Sequence, residues 1–91
     1  MATVEIYTKA YCPYCVRAQA LLAEKSADFA GLIVQEIKID GDMALREAMI
    51  TRSNGSYTVP QIFIDDVHIG GCDELVTLDM QNNLNALLAK A

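Results

Sequence analysis

Cysteine is scarce in this chain, and its placement excludes more than it allows. Three cysteines among 91 residues cannot form a disulfide framework: two lie too close together to staple a long loop, and Cys72 is left over. The single histidine, His68, has no matching ligand beside it, so a strand or surface role is expected. No second Cys/His pair is available to complete a zinc site, and no bound metal is expected. No apolar run approaches the roughly 20 residues that a membrane helix requires. Met1-Ala2-Thr3-Val4-Glu5 has no basic region leading into an apolar stretch, so no secretory signal is visible. Basic residues are few, seven against twelve acidic ones, and the net charge of −5 argues against nucleic acid or an anionic membrane as main partner. There are no internal repeats or low-complexity tracts. The expectation is one soluble, cytoplasmic domain over residues 1–91, with enough apolar content (53%) for a core and thiols that do chemistry in a reducing compartment.

The charge is also uneven. Lys9, Arg17, Lys25, Lys38, Arg46 and Arg52 precede a stretch with no cation until Lys90, while Asp65, Asp66, Asp73, Glu74 and Asp79 accumulate late. A ligand with both signs of charge suits such asymmetry, as does a plain solvated surface.

Apolar periodicity gives the elements. Val4–Thr8 alternates and reads as a strand. Pro13 to about Lys25 carries Cys15, Ala18 and Leu22 at helical spacing, followed by a connector over Ser26–Gly31. Leu32–Ile39 reads as a second strand, and Asp42 as the cap of a helix over Met43–Arg52. Gln61–Ile64 and Val67–Ile69 read as a hairpin around Asp65-Asp66, with Gly70-Gly71 as an interruption. Helical pattern resumes from Asp73, breaks near Asn82-Asn83 and returns over Leu84–Leu88. The order β-α-β-α-β-β-α predicts an α/β fold, a four-stranded mixed sheet flanked by helices.

The richest motif is Cys12-Pro13-Tyr14-Cys15, at a strand-to-helix junction. A thiol at a helix N-terminus sits beside unpaired N–H groups and the positive end of the macrodipole, which stabilise its thiolate. Pro13 suits the first helical position, where its missing N–H costs nothing. Residues i and i+3 share a face, so the two sulfurs meet. Cys12 is expected to be the exposed attacking thiol, helped by Lys9, and Cys15 the more buried resolving one. Tyr14 either packs beside the sulfurs and shapes access or is ordinary surface packing.

Thr8-Lys9 before the Cys12–Cys15 motif, then Thr58-Val59-Pro60, then Gly70-Gly71-Cys72-Asp73, resembles the dithiol glutaredoxins, and particularly their small bacterial members. The resemblance spans nearly the whole chain. It implies a thioredoxin fold with a cis Pro60 opposite the dithiol, which would leave the Val59 backbone free for an extended peptide-like ligand. It implies glutathione as co-substrate, with no tightly bound cofactor. Lys9, Tyr14, Thr58, Val59, Pro60, Gly71, Cys72 and Asp73 are the implied contacts, with Arg46 (Arg52 as the other candidate) facing the glycyl carboxylate. The helix start at Cys72-Asp73 would take the γ-glutamyl carboxylate, and Asp73 its ammonium or simply the role of helix cap. Cys72 is either a modifiable thiol or a small, partly buried residue. The implied function is reduction of protein disulfides and glutathione mixed disulfides by a monomer, with disulfide-bearing or glutathionylated proteins as partners, ribonucleotide reductase among the compatible ones. Two rivals are a glutathione-assisted iron–sulfur cluster carrier, which the Pro13-Tyr14 insert disfavours, and a thioredoxin-reductase-dependent electron donor of the same fold.

Overall fold

The alternation Val4-Glu5-Ile6-Tyr7 gives the first strand two faces, and both are used. In the computed structural model, which describes residues 2–89, β1 (Thr3–Thr8) pairs in parallel with β2 (Ile33–Lys38) and antiparallel with β3 (Gln61–Ile64). β3 continues antiparallel into β4 (Val67–Gly70), for a sheet order β2-β1-β3-β4. Met1, Lys90 and Ala91 lie outside the described residues, and with them the one late cation. The mixed four-stranded sheet flanked by helices is the architecture expected.

Side chains two residues apart share a face of a strand, and this sorts the core. Val4, Ile6, Ile62 and Ile64 are buried on one face against α1 (Pro13–Asp28), α3 (Cys72–Met80) and α4 (Leu84–Leu88), through Ala18, Leu22, Cys72, Leu75, Leu84 and Leu88. On the other face Tyr7 and Phe63 pack with Ile39 and with Met49 of α2 (Met43–Arg52).

Arg52 closes this second face. Its guanidinium bonds the Glu5 carboxylate through both arms, at 3.2 and 3.0 Å, bonds the Tyr7 hydroxyl at 2.9 Å, and lies 4.0 Å from the Phe63 ring centre. The bond to Glu5, above all, holds the proton on the guanidinium more tightly than usual.

Both outer residues of β2 and the first residue of β1 shift by one from expectation, and three other boundaries differ for physical reasons. α1 runs on to Asp28, through residues expected to form a connector, because Ser26 bonds back to the Leu22 carbonyl and Lys25 pairs with Asp79 of α3 at 2.7 Å. Gly70 ends β4 instead of interrupting the chain, at a φ of +121° that only glycine adopts freely. α3 begins at Cys72 with Gly71 as its N-cap, so Asp73 lies within the first turn and is not the cap. The break at Asn82, in the left-handed region with φ +61°, separates α3 from α4 as expected.

Candidate active site

The dithiol stands where β1 gives way to α1. Cys12 is the N-cap of α1, and Pro13 occupies the first helical position. The Cys12 Sγ accepts the Cys15 N–H at 3.3 Å, so the sulfur takes the place of the usual capping oxygen. From the opposite side it faces the Val59 carbonyl at 3.8 Å. The Val59–Pro60 peptide is cis, as the resemblance implied.

Cys12 is less open than expected. It is 9% exposed and Cys15 is 3% exposed, so both count as buried and the difference between them is one of degree. Chemistry separates them more clearly. Burial first, then the hydrogen bond to Cys12 and the charge there, pushes the Cys15 thiol up to about 12. Cys15 therefore keeps its proton while Cys12 stays in contact with it.

This shift has a testable consequence. An unfolded thiol ionises near 9.0, whereas folded Cys15 holds its proton to about 12. Between those values unfolding releases a proton, so the reduced protein is expected to lose stability as pH rises, on the order of 1 kcal/mol per pH unit. Urea unfolding of the reduced protein at about pH 8 and about pH 10 checks this, with a shallower slope expected for Cys15→Ser. Buried Cys72 is also shifted upward, chiefly by desolvation, so part of the slope remains.

A groove of about 330 Å³ opens beside the dithiol, lined by Tyr14, Thr58, Val59, Pro60, Gly71, Cys72, Asp73 and Glu74. It is thus framed by α1, the loop before β3 and the start of α3. The first N–H groups of α3 have no partner within the helix, and Asp73 and Glu74 add acidic charge to that turn. Gly71 is needed for closeness: a Cβ there would lie 3.3 Å from the Pro60 carbonyl oxygen. Glu74 was not anticipated. Its carboxylate accepts the Gly71 N–H at 2.7 Å, half of a capping box whose spacing is hidden in the sequence by a glycine at the cap.

A second cavity of about 570 Å³ flanks the dithiol on the β2 side, bordered by both active-site cysteines together with Lys9, Lys38, Glu36 and Asp40. Lys9 is thus next to Cys12 but outside the first groove. Arg46 lines neither cavity, and Arg52 is committed to Glu5 on the α2 face of the sheet. The groove gathers the expected residues from Tyr14 to Asp73; it does not gather the two arginines.

The glutaredoxin family model matches residues 4–69. The chain belongs to the glutaredoxin family. Glutaredoxin 3 of Escherichia coli (strain K12) is 59% identical over 88 residues, covering 97% of this chain and 99% of the relative. A glutaredoxin of Pseudomonas aeruginosa is 51% identical, covering 98% of this chain and 99% of its own length. Among solved structures, a glutaredoxin from Brucella melitensis is 46% identical with a TM-score of 0.79, covering 98% of this chain and 90% of that one. A buckwheat glutaredoxin–glutathione complex is 31% identical with a TM-score of 0.78, over 93% of this chain and 74% of that one. This glutaredoxin has the thioredoxin fold of its relatives and is a glutathione-dependent thiol–disulfide oxidoreductase.

Proposed function

We propose that Cys12 is the attacking thiol of this glutaredoxin and that the groove from Tyr14 to Asp73 holds the γ-glutamyl arm of glutathione. The observation that carries this reading is the position of the Cys12 sulfur, between the Cys15 N–H at 3.3 Å and the Val59 carbonyl at 3.8 Å, beside the start of α3. A glutathione sulfur bonded to Cys12 would lay its backbone along Val59, its α-carboxylate against the α3 N–H groups and its ammonium near Asp73. The glycyl arm, on the other side of that sulfur, is left to the cavity that Lys9 and Lys38 border. Arg46 has no part in this arrangement.

With a protein disulfide, the Cys12 thiolate attacks one sulfur, forming a mixed disulfide and expelling the other as a thiolate that takes up a proton. Cys15 then loses its proton and attacks the Cys12 sulfur, which closes the Cys12–Cys15 disulfide and frees the second substrate thiol. One glutathione opens that disulfide by bonding to Cys12. A second attacks the bound glutathione and leaves as glutathione disulfide, so two glutathiones supply the two electrons. With a glutathionylated protein, Cys12 alone takes the glutathione and the second glutathione removes it.

The same reading makes the chain a single-domain, monomeric electron donor to disulfide-bearing or glutathionylated proteins, ribonucleotide reductase among them. A dithiol that must cycle suits the reducing cytoplasm. Asp73→Asn tests the groove. The KM for a glutathionylated peptide is expected to rise about tenfold with kcat nearly unchanged, the loss of one charge-assisted bond. An unchanged KM would assign the tripeptide elsewhere.

A further inference from the structure

A polar chain with buried Gln61 at its centre runs behind the groove, and the dithiol chemistry does not use it. Gln61 is 4% exposed, at the start of β3 opposite Tyr7. Its Nε2 donates to the Thr58 carbonyl at 3.0 Å and approaches the Thr58 hydroxyl at 3.3 Å. Its Oε1 meets His68 Nε2 at 2.7 Å. A carbonyl cannot donate, so the amide nitrogen must face Thr58 and the amide oxygen must face the imidazole. His68 is therefore the donor, with its proton on Nε2.

The imidazole is itself held in place. The register of the β3–β4 pair shifts between Ile62 and Phe63, which sets His68 opposite Phe63. The two rings lie 5.0 Å apart at 33°, and the far partner of Phe63 is the Arg52 guanidinium. Thr58, at the other end of the chain, lines the groove immediately before Val59, whose carbonyl faces the Cys12 sulfur. The series Arg52–Phe63–His68–Gln61–Thr58 thus joins the packed α2 face of the sheet to the wall of the groove.

We infer that Gln61 and His68 are positioning residues for glutathione: His68 fixes the orientation of the Gln61 amide, and that amide fixes the Thr58-Val59 segment along which the tripeptide lies. The inference rests on the assignment of the groove to glutathione. A buried amide deprived of its donor must lose a hydrogen bond or turn over, and turning would set its oxygen against the Thr58 carbonyl. Either change loosens the segment without touching the sulfurs. Binding is therefore affected more than chemistry.

The test is steady-state reduction of a glutathionylated peptide by the full chain. Gln61→Leu is expected to raise KM about tenfold and His68→Leu about threefold, with kcat within about twofold of the parent. His68→Gln, whose amide N–H replaces the ring donor, is expected to return KM to within about twofold of the parent. Nitrogen NMR of the neutral imidazole is expected to find the proton on Nε2. An unchanged KM in both leucine variants overturns the inference, as does a His68→Gln variant no better than His68→Leu, or a proton on Nδ1. His68 is only half-buried, so its variants report even where Gln61→Leu folds poorly. Asp73→Asn separates the two levels. If it raises KM while the Gln61 and His68 variants do not, only the positioning role falls; if none of them raises KM, the groove assignment falls with it.

Discussion

Cys12→Ser is expected to lose about a thousandfold or more of the reduction of glutathione mixed disulfides, whereas Cys15→Ser is expected to keep most of it and to lose turnover with protein disulfides. The asymmetry follows from where each sulfur stands. Cys12 faces the Val59 carbonyl beside the groove and caps α1. Cys15 is pushed up to about 12 by burial and by Cys12 itself. Part of that shift disappears once Cys12 is bonded to a substrate sulfur, because the Cys12 hydrogen bond and charge are then gone. Burial, the largest cause, remains, so this step eases the ionisation of Cys15 without completing it. A coupled assay with glutathione, glutathione reductase and a glutathionylated peptide measures the first activity, and reduction of a protein disulfide measures the second. Equal loss in both variants would show that the monothiol route does not operate. Activity with thioredoxin reductase and none with glutathione would replace the glutathione reading altogether.

Leu75→Ala is expected to destabilise the protein by about 2–5 kcal/mol and to lower its melting temperature by more than about 10 °C. Leu75 is fully buried and joins the first turn of α3 to the cluster of Val4, Ile6, Leu22 and Ile62. Truncation removes the buried methyls and leaves a hole that the surrounding sheet cannot readily fill. Met80→Ala, at the other end of the same helix and 79% exposed, is expected to cost less than about 0.5 kcal/mol. Thermal unfolding of the two variants side by side checks both numbers. Leu75 follows Glu74, the residue that caps Gly71, so the damage is expected to reach the groove well below the melting temperature.

Contiguous features of this protein could be read from the sequence. The Thr58-Val59-Pro60 segment and the Cys72-Asp73 helix start were supplied by the family resemblance, whereas the alternation of β1 and the Cys12–Cys15 junction each occupy a few neighbouring residues. Their local chemistry is the same in the sequence as in the fold. Features that depend on register could not be read. Arg52 finds Glu5 across 47 residues, and nothing in the helix to which it belongs announces that partner. The last turn of α1 was hidden because Ser26 reads as a loop former until its hydroxyl is seen bonding back to Leu22. His68 read as an ordinary strand residue because its partner Gln61 is reached only through a hairpin with a shifted register.

The sheet order has a consequence for synthesis. β1, one of the two inner strands, is made first, yet its neighbour β3 comes some sixty residues later in the register Val4↔Ile64. While the chain is still emerging from the ribosome, the parallel β1–β2 pair is available, but the wall formed by Val59 and the start of α3 is not. The nascent segment therefore carries two thiols beside the β2-side cavity before it has the groove on the other side. What the groove adds to discrimination between disulfides is acquired late, with the hairpin and α3, and a chain that stalls before residue 60 would present the thiols without the groove.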